Sequence, residues 1–296
     1  LSKTWIFRQS HVSGTTSFFL ASTPKLAAAR SPSVSRKINH VGPIAGAMAM
    51  LSIFAVQALA IAVITLFEKL RHKGATDWLR NLQAWFVQIA TGLAFLPLIH
   101  GWAVKPLIDG AAMPLWLGFA LFLLVRDAAE FAFHLAQHKV PFLWRMHSLH
   151  HSDPEMTALT TNRHFWGDQL IKALTIWPLS EAIVGPSPDI LGLYGMVSLY
   201  NYVIHANLRI DFGRWSWVLN CPAYHRRHHS LLQEHYDSNF AALLPIFDVI
   251  CRTYRRPDSW PPTGQDCKPE SLGELVAWPV VPQQAGAEAE PAPVRS

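Results

Sequence analysis

The sequence predicts an all-α, multi-pass membrane protein with about four membrane-embedded elements and a histidine-rich helical cap on the cytosolic side. Three observations lead there. Half of the 296 residues are hydrophobic and only 15% are charged, against roughly 25% in ordinary soluble domains. Uncharged apolar runs recur along the chain at lengths that suit a bilayer. Eight of the 15 histidines fall in three clusters, His134 and His138, then His147, His150 and His151, then His225, His228 and His229.

The formal charge of +5 belongs to the N-terminus, where Lys3, Arg8, Lys25, Arg30, Arg36 and Lys37 precede the first acid, Glu68. The remainder is close to neutral, and no basic block interleaved with aromatics marks a nucleic-acid partner. Cys221, Cys251 and Cys267 form no C-x2-C pair, which excludes a disulfide framework, and Cys221 reads as a buried structural thiol.

Taken in order, residues 1–42 are rich in Ser, Thr and Arg and show no apolar period. They read as a disordered or targeting segment, or as upstream sequence ahead of a start at Met48 or Met50. Residues 43–110 hold the N-terminal transmembrane helices. Ile44 to Phe67 contains no charge, and Ala84 to Val104 carries Trp85 and Trp102 near its ends, where membrane aromatic belts sit. Residues 111–257 form the histidine-bearing domain. Its first helix stays apolar to Val125 and then continues at helical period into Asp127, His134 and His138. Leu170 to Val184 and Ile190 to Ile204 are apolar arms split by Gly185-Pro186-Ser187-Pro188, either a re-entrant hairpin or two tilted spans. Residues 258–296 read as a Pro/Ala-rich tail. Lys69, Arg71, Lys73 and Arg80 between the first two spans place that loop, and by counting every histidine cluster, in the cytosol. The compositional style of the C-terminus suggests a bacterial inner membrane, with the endoplasmic reticulum as the alternative.

The clusters carry the chemistry. On a helix each residue turns about 100°, so His at i, i+3 and i+4 share one sector. The adjacent histidines of each pair diverge enough to serve two ions. Eight imidazoles are twice what one tetrahedral zinc needs, so two metals with open positions fit better than one structural ion. Imidazole suits Zn, Cu, Fe and Ni alike, and no H-E-x-x-H marks a metalloprotease. Neutral ligands around two divalent cations call for nearby carboxylates to orient the rings. Asp127, Glu130, Asp153, Glu155 and Asp237 are placed for this, with Asp127 the first choice.

Arg126 to His134 with His138, Leu143-Trp-Arg-Met-His147-Ser-Leu-His150-His151, Tyr202-Val-Ile-His205-Ala-Asn207 and Pro222-Ala-Tyr-His225-Arg-Arg-His228-His229 together resemble the fatty acid hydroxylase/sterol desaturase superfamily. Asp237-Ser-Asn239-Phe240 and Pro245 to Tyr254 are similar to that family's closing motifs. The resemblance implies a membrane di-iron enzyme that uses O2 and electrons from a separate protein to attack a C–H bond of a membrane lipid. It also implies that His134, His138, His147, His150, His151, His225, His228 and His229 hold two irons. His205 matches a further family ligand, while Arg209 stands where some members have another. Arg252 replaces a usual glycine. Asp237, Asn239, His164 and His235 are candidates beside Asp127 for the surroundings of the metals. No residue beyond the ligands is assigned a catalytic role. Lys139, Arg145, Arg226, Arg227, Arg255 and Arg256 either dock an acidic electron carrier or anchor the membrane face. Hydroxylation is the expected outcome, desaturation a close variant. The rival readings are a membrane metal transport or storage protein and a metal-dependent lipid hydrolase.

Overall fold

A computed structural model describes residues 43–71, 77–99 and 105–281. The described residues from Met48 onward form one compact unit, and the tail expected over 1–42 lies outside the described residues. Every regular element among the described residues is helical, and two isolated bridges, Ile108 with Val184 and Ser230 with Thr263, join loops. The helices are α1 (Pro43–Arg71), α2 (Trp78–Ile99), α3 (Leu115–Lys139), α4 (Pro141–His151), α5 (Trp166–Leu174), α6 (Ile176–Ile183), α7 (Pro188–Ser198), α8 (Tyr200–His205), α9 (Pro222–His228), α10 (Ile246–Cys251) and α11 (Leu272–Val276).

Among the described residues no helix is long and apolar enough to cross a membrane. Helix α3 shows the reason most clearly: Arg126, Asp127 and Glu130 lie on it, so its apolar part is too short alone. The two arms expected as a re-entrant hairpin or two tilted spans are four short helices. Pro178 in the first turn of α6 has no N–H to continue α5, and the chain breaks at Thr175. At Leu199 a tight turn intervenes, with the Ser198 hydroxyl bonded back to Gly195 O at 2.6 Å, a bond that bends helices. The longest of the four, α7, has 11 residues and rises only about 16 Å, half of a hydrocarbon core. None of the four crosses singly.

The helix that carries His134 and His138 is continuous over 25 residues. It stops at Val140, which is extended at φ −102° and ψ 115° because Pro141 follows. Pro141 then starts α4 from a position where its missing N–H costs nothing. This one-residue turn folds the second histidine helix back against the first. Pro222 starts α9 in the same way after extended Cys221.

Buried polar ties hold the N-terminal helices to the histidine-bearing loops. Glu68 of α1 accepts the backbone amides of Ala158 and Asn207. Arg163 reaches Asp77 at 2.8 Å and Asn81 at 3.0 Å, and Asn81 donates to Asp153 at 2.8 Å. The residues after Pro257 are not all a loose tail. Leu275 and Trp278 join Ala84, Met146, Leu149 and Phe165 in one core cluster, and the Trp278 indole donates to Ser148 Oγ at 2.9 Å. Composition pointed to a tail because Pro and Gly are frequent there. Two large apolar side chains with a buried surface to cover decide otherwise.

Candidate metal centre

Nine histidine side chains converge in the interior, and their ring nitrogens fall into two groups. His134, His138, His147, His151 and His228 form the first, and His150, His205, His225 and His229 the second, with the ligand atoms of each group within 4.8 Å of one another. The adjacent histidines part company: His150 and His229 join the second group, His151 and His228 the first. The 100° step of the helix does this, sending neighbouring rings to different centres. The groups abut, with the His151 and His229 rings stacked at 4.3 Å.

Backbone carbonyls set the direction of three rings. His134 Nδ1 donates to Phe240 O at 2.6 Å, His228 Nδ1 to Ser238 O at 2.8 Å and His205 Nδ1 to Asn201 O at 2.7 Å. A carbonyl can only accept, so each Nδ1 carries the proton and each Nε2 presents a lone pair inward. His134 Nε2 lies 3.0 Å from His147 Nε2, and His205 Nε2 lies 3.1 Å and 2.9 Å from the Nε2 atoms of His150 and His225. Nε2 of His138, His151 and His228 is buried without a hydrogen-bond partner. Without a metal, the partner ring of each pair can carry its proton on Nε2 and donate across the gap; with that proton moved to Nδ1, the lone pairs of a pair point at one shared position that a cation would fill. With metal–nitrogen bonds of about 2.1 Å, ligands at right angles stand about 3.0 Å apart, so the donor set fits metal ions.

Burial is the largest cause that pushes the pKa of all nine rings below the usual 6.5, and neighbouring rings add to it for most of them. His228 is lowered to about 4 and His205 to about 3 by burial, partly offset by their carbonyl bonds. All are therefore neutral at pH 7, the form that ligates.

The carboxylates expected around the metals are mostly engaged elsewhere. Asp127 accepts the backbone amides of Leu243 and Leu244 at 3.0 and 2.8 Å, pinning the loop behind Phe240 and touching no ring. Glu130 pairs with Arg126 and Lys172, each at 2.8 Å. Asp153 belongs to the buried network with Asn81, and Glu155 accepts from the Asn207 side chain. Asp237 is half exposed and pairs with Lys139 at 2.6 Å. Asn239 is buried and ties Tyr224 O, Arg255 O and Arg255 N together. His235 bonds Ser230 Oγ at 2.9 Å and joins neither group. His164 stacks flat on His150 at 4.1 Å.

Sequence reasoning missed Asp248 as a site residue. Fully buried, it accepts from Phe240 N at 2.9 Å, Ala241 N at 2.7 Å, the Thr253 hydroxyl at 2.6 Å and the Tyr224 hydroxyl. It builds the loop whose carbonyls orient His134 and His228. The left-handed φ values of Asp237 and Asn239, 56° and 62°, shape that loop. Asp and Asn tolerate this region better than most residues.

Two cavities reach the histidines. One, of about 570 Å3, runs among α3, α5, α6 and α7 to His164 and His205 and is lined by Arg126, Trp177 and Tyr194. The other, of about 420 Å3, opens on His138, His151 and His228 beside Tyr236 and Asp237.

The fold and the paired histidine groups define an all-helical protein built around a centre able to hold two metals. Residues 119–253 match the family described as fatty acid hydroxylase, and this histidine-bearing part of the chain is similar to the fatty acid hydroxylase/sterol desaturase superfamily. An alkylglycerol monooxygenase of Xenopus tropicalis is 29% identical over 164 residues, which cover 55% of this chain and 36% of that protein. An ornithine lipid hydroxylase, OlsE, of Rhizobium tropici is 30% identical over 133 residues, 44% of this chain and 40% of its own. Human cholesterol 25-hydroxylase is 26% identical over 181 residues, 53% and 60% respectively. The matched segments thus span about a third to three fifths of these relatives. No solved structure matches the chain.

Proposed function

We propose that the protein is a membrane-associated di-iron oxidoreductase that hydroxylates, or in a close variant desaturates, a C–H bond of a lipid. The observation that carries this reading is the division of nine neutral imidazoles, seven of them buried and His134 and His138 partly so, into two abutting groups. His134, His138, His147, His151 and His228 would hold one iron, and His150, His205, His225 and His229 the other. When bound, the irons would supply the activation of O2 and the removal of hydrogen from carbon. In hydroxylation, one O2, two electrons, two protons and the substrate C–H give an alcohol and water. No flavin, haem or nicotinamide motif occurs in these 296 residues, and the electrons would come from a separate donor protein.

The chain's own residues prepare the site. The carbonyls of Phe240, Ser238 and Asn201 fix tautomers, and burial keeps the rings unprotonated. The cavity ending at His164 and His205 has the volume to admit part of a lipid chain. The lipid names of the relatives support a lipid substrate. Large apolar side chains stand exposed along the N-terminal helices, among them Leu59, Leu66, Leu70, Phe86 and Leu93. Such surface is unusual in contact with water and supports immersion of this end in a bilayer.

Comparing the lipids of cells that express the wild type and His150→Ala tests the reading. A lipid gaining one oxygen, or losing two hydrogens, only with the wild type is the expected result. Unchanged activity without O2 would favour a metal-dependent hydrolase instead.

A further inference from the structure

We infer that Asp168 is a positioning residue of the metal centre, its carboxylate taking the outward ring N–H groups of His147 and His164. The inference rests on the metal-centre reading above. Asp168 lies in the first turn of α5, fully buried. Both of its oxygens lack a partner within hydrogen-bonding distance, as do Nδ1 of His147 and Nδ1 of His164. These groups are close: His164 Nδ1 lies 3.9 Å from Asp168 Oδ2, and one ligand atom each of His147, His164 and Asp168 falls within a 4.8 Å set.

Two donors and a double acceptor, all buried and all unpaired, occur side by side. His134, His205 and His228 each have a carbonyl behind the ring. His147 has none, and Asp168 is the acceptor at hand. Its Nε2 already faces His134, so a bond at Nδ1 fixes the tautomer that ligates. A turn of the His164 ring, or one bridging water, closes the remaining gap. Because His164 is stacked on His150, the same carboxylate braces a ring of each metal group. A partnerless buried carboxylate weakens a fold, so a structural purpose does not explain it. An outer partner for metal ligands does.

The test is an anaerobic titration of the full chain in detergent with Co(II), for wild type and Asp168→Asn, followed by the visible absorption of the bound metal. An amide has one acceptor oxygen instead of two and turns an N–H2 toward a donor. The variant is expected to bind about ten- to a hundredfold more weakly, with a shifted visible spectrum. Its metal-free form should melt at or above the wild-type temperature. Equal affinity and an unshifted spectrum overturn the role of Asp168, as does a variant whose metal-free form melts lower or fails to fold. Three equivalents in the wild type against two in the variant would make Asp168 a ligand and overturn it as well. A wild type that binds no metal removes the metal centre itself, a separate failure visible in the same titration.

Discussion

His134 Nδ1 lies 2.6 Å from the carbonyl oxygen of Phe240, a residue 106 positions further along the chain. That bond joins the first histidine helix to the loop after the last histidine cluster. It also leaves Nε2 unprotonated and facing His147. The loop in turn depends on Asp248, which receives both amides at 240 and 241. Asp248→Ala leaves these amides and two hydroxyls unpaired in the interior. At about 1–3 kcal/mol for each buried orphan, partly relieved by relaxation, the loss should be at least about 3 kcal/mol. Thermal melting checks the stability, and metal analysis of the surviving fold should show reduced loading.

The two histidine groups predict a stoichiometry. His205 stands among four rings of the second group and contributes nothing to the first. His205→Ala should therefore lower bound metal from about two ions per chain to about one, without unfolding the chain. Elemental analysis of the purified variant decides this. Full loading would remove His205 from the ligand set.

Acid should destabilise the metal-free protein. The nine rings have folded pKa values below 6.5, with burial the first cause. Below pH 6.5 the unfolded chain takes up protons that the fold refuses, so stability falls with pH. Each such ring costs about 1.4 kcal/mol per pH unit until its folded pKa is reached, near 4 for His228 and near 3 for His205. Above pH 6.5 this contribution is fully present. Melting temperatures of the metal-free protein should be level from pH 8 to 7 and drop steeply by pH 5.5. A level profile down to pH 5 would mean that the rings are not held neutral.

The spacing of the histidines made the splitting of His150 from His151 and of His228 from His229 legible, because helical rotation is a local property. The all-helical class was legible for the same reason. The partners behind the rings were not. Carbonyls at Asn201, Ser238 and Phe240 carry no mark in the sequence, and which carboxylate lies behind which ring depends on the packing of distant helices. Asp127 sits on the histidine face of α3 as its spacing requires, yet it meets the 243–244 amides, whose loop packs against that part of the helix. Asp248 carried a signal in its motif, but as a sequence pattern it did not reveal that it holds the loop rather than a metal.

Arg252 illustrates a departure from the family pattern with a measurable consequence. It ends α10 in the left-handed region at φ 62° and ψ 23°, where a residue with a Cβ is strained and glycine is not. Arg252→Gly should raise stability by up to about 1 kcal/mol, seen as a small increase in melting temperature. Metal content should be unchanged. A decrease would show that the arginine side chain contributes more than its backbone costs.

Trp278 tests whether the segment after Pro257 belongs to the working unit. Its side chain is fully buried against Ala84, Met146, Leu149, Phe165 and Leu275. Its indole N–H donates to Ser148, the residue next to His147. Trp278→Ala removes a large buried ring and opens a cavity under α4, which should cost about 3–5 kcal/mol. Trp278→Phe keeps most of the volume but loses the donor. It should cost less, about 1–2 kcal/mol, because only the indole hydrogen bond to Ser148 is lost. Because α4 carries His147, His150 and His151 on one short helix, looser packing behind it reaches both metal groups at once. Trp278→Ala should therefore lower metal affinity as well as melting temperature, and Trp278→Phe should recover most of both. If the alanine variant melts normally and binds metal normally, the C-terminal segment is dispensable to the site despite its packing.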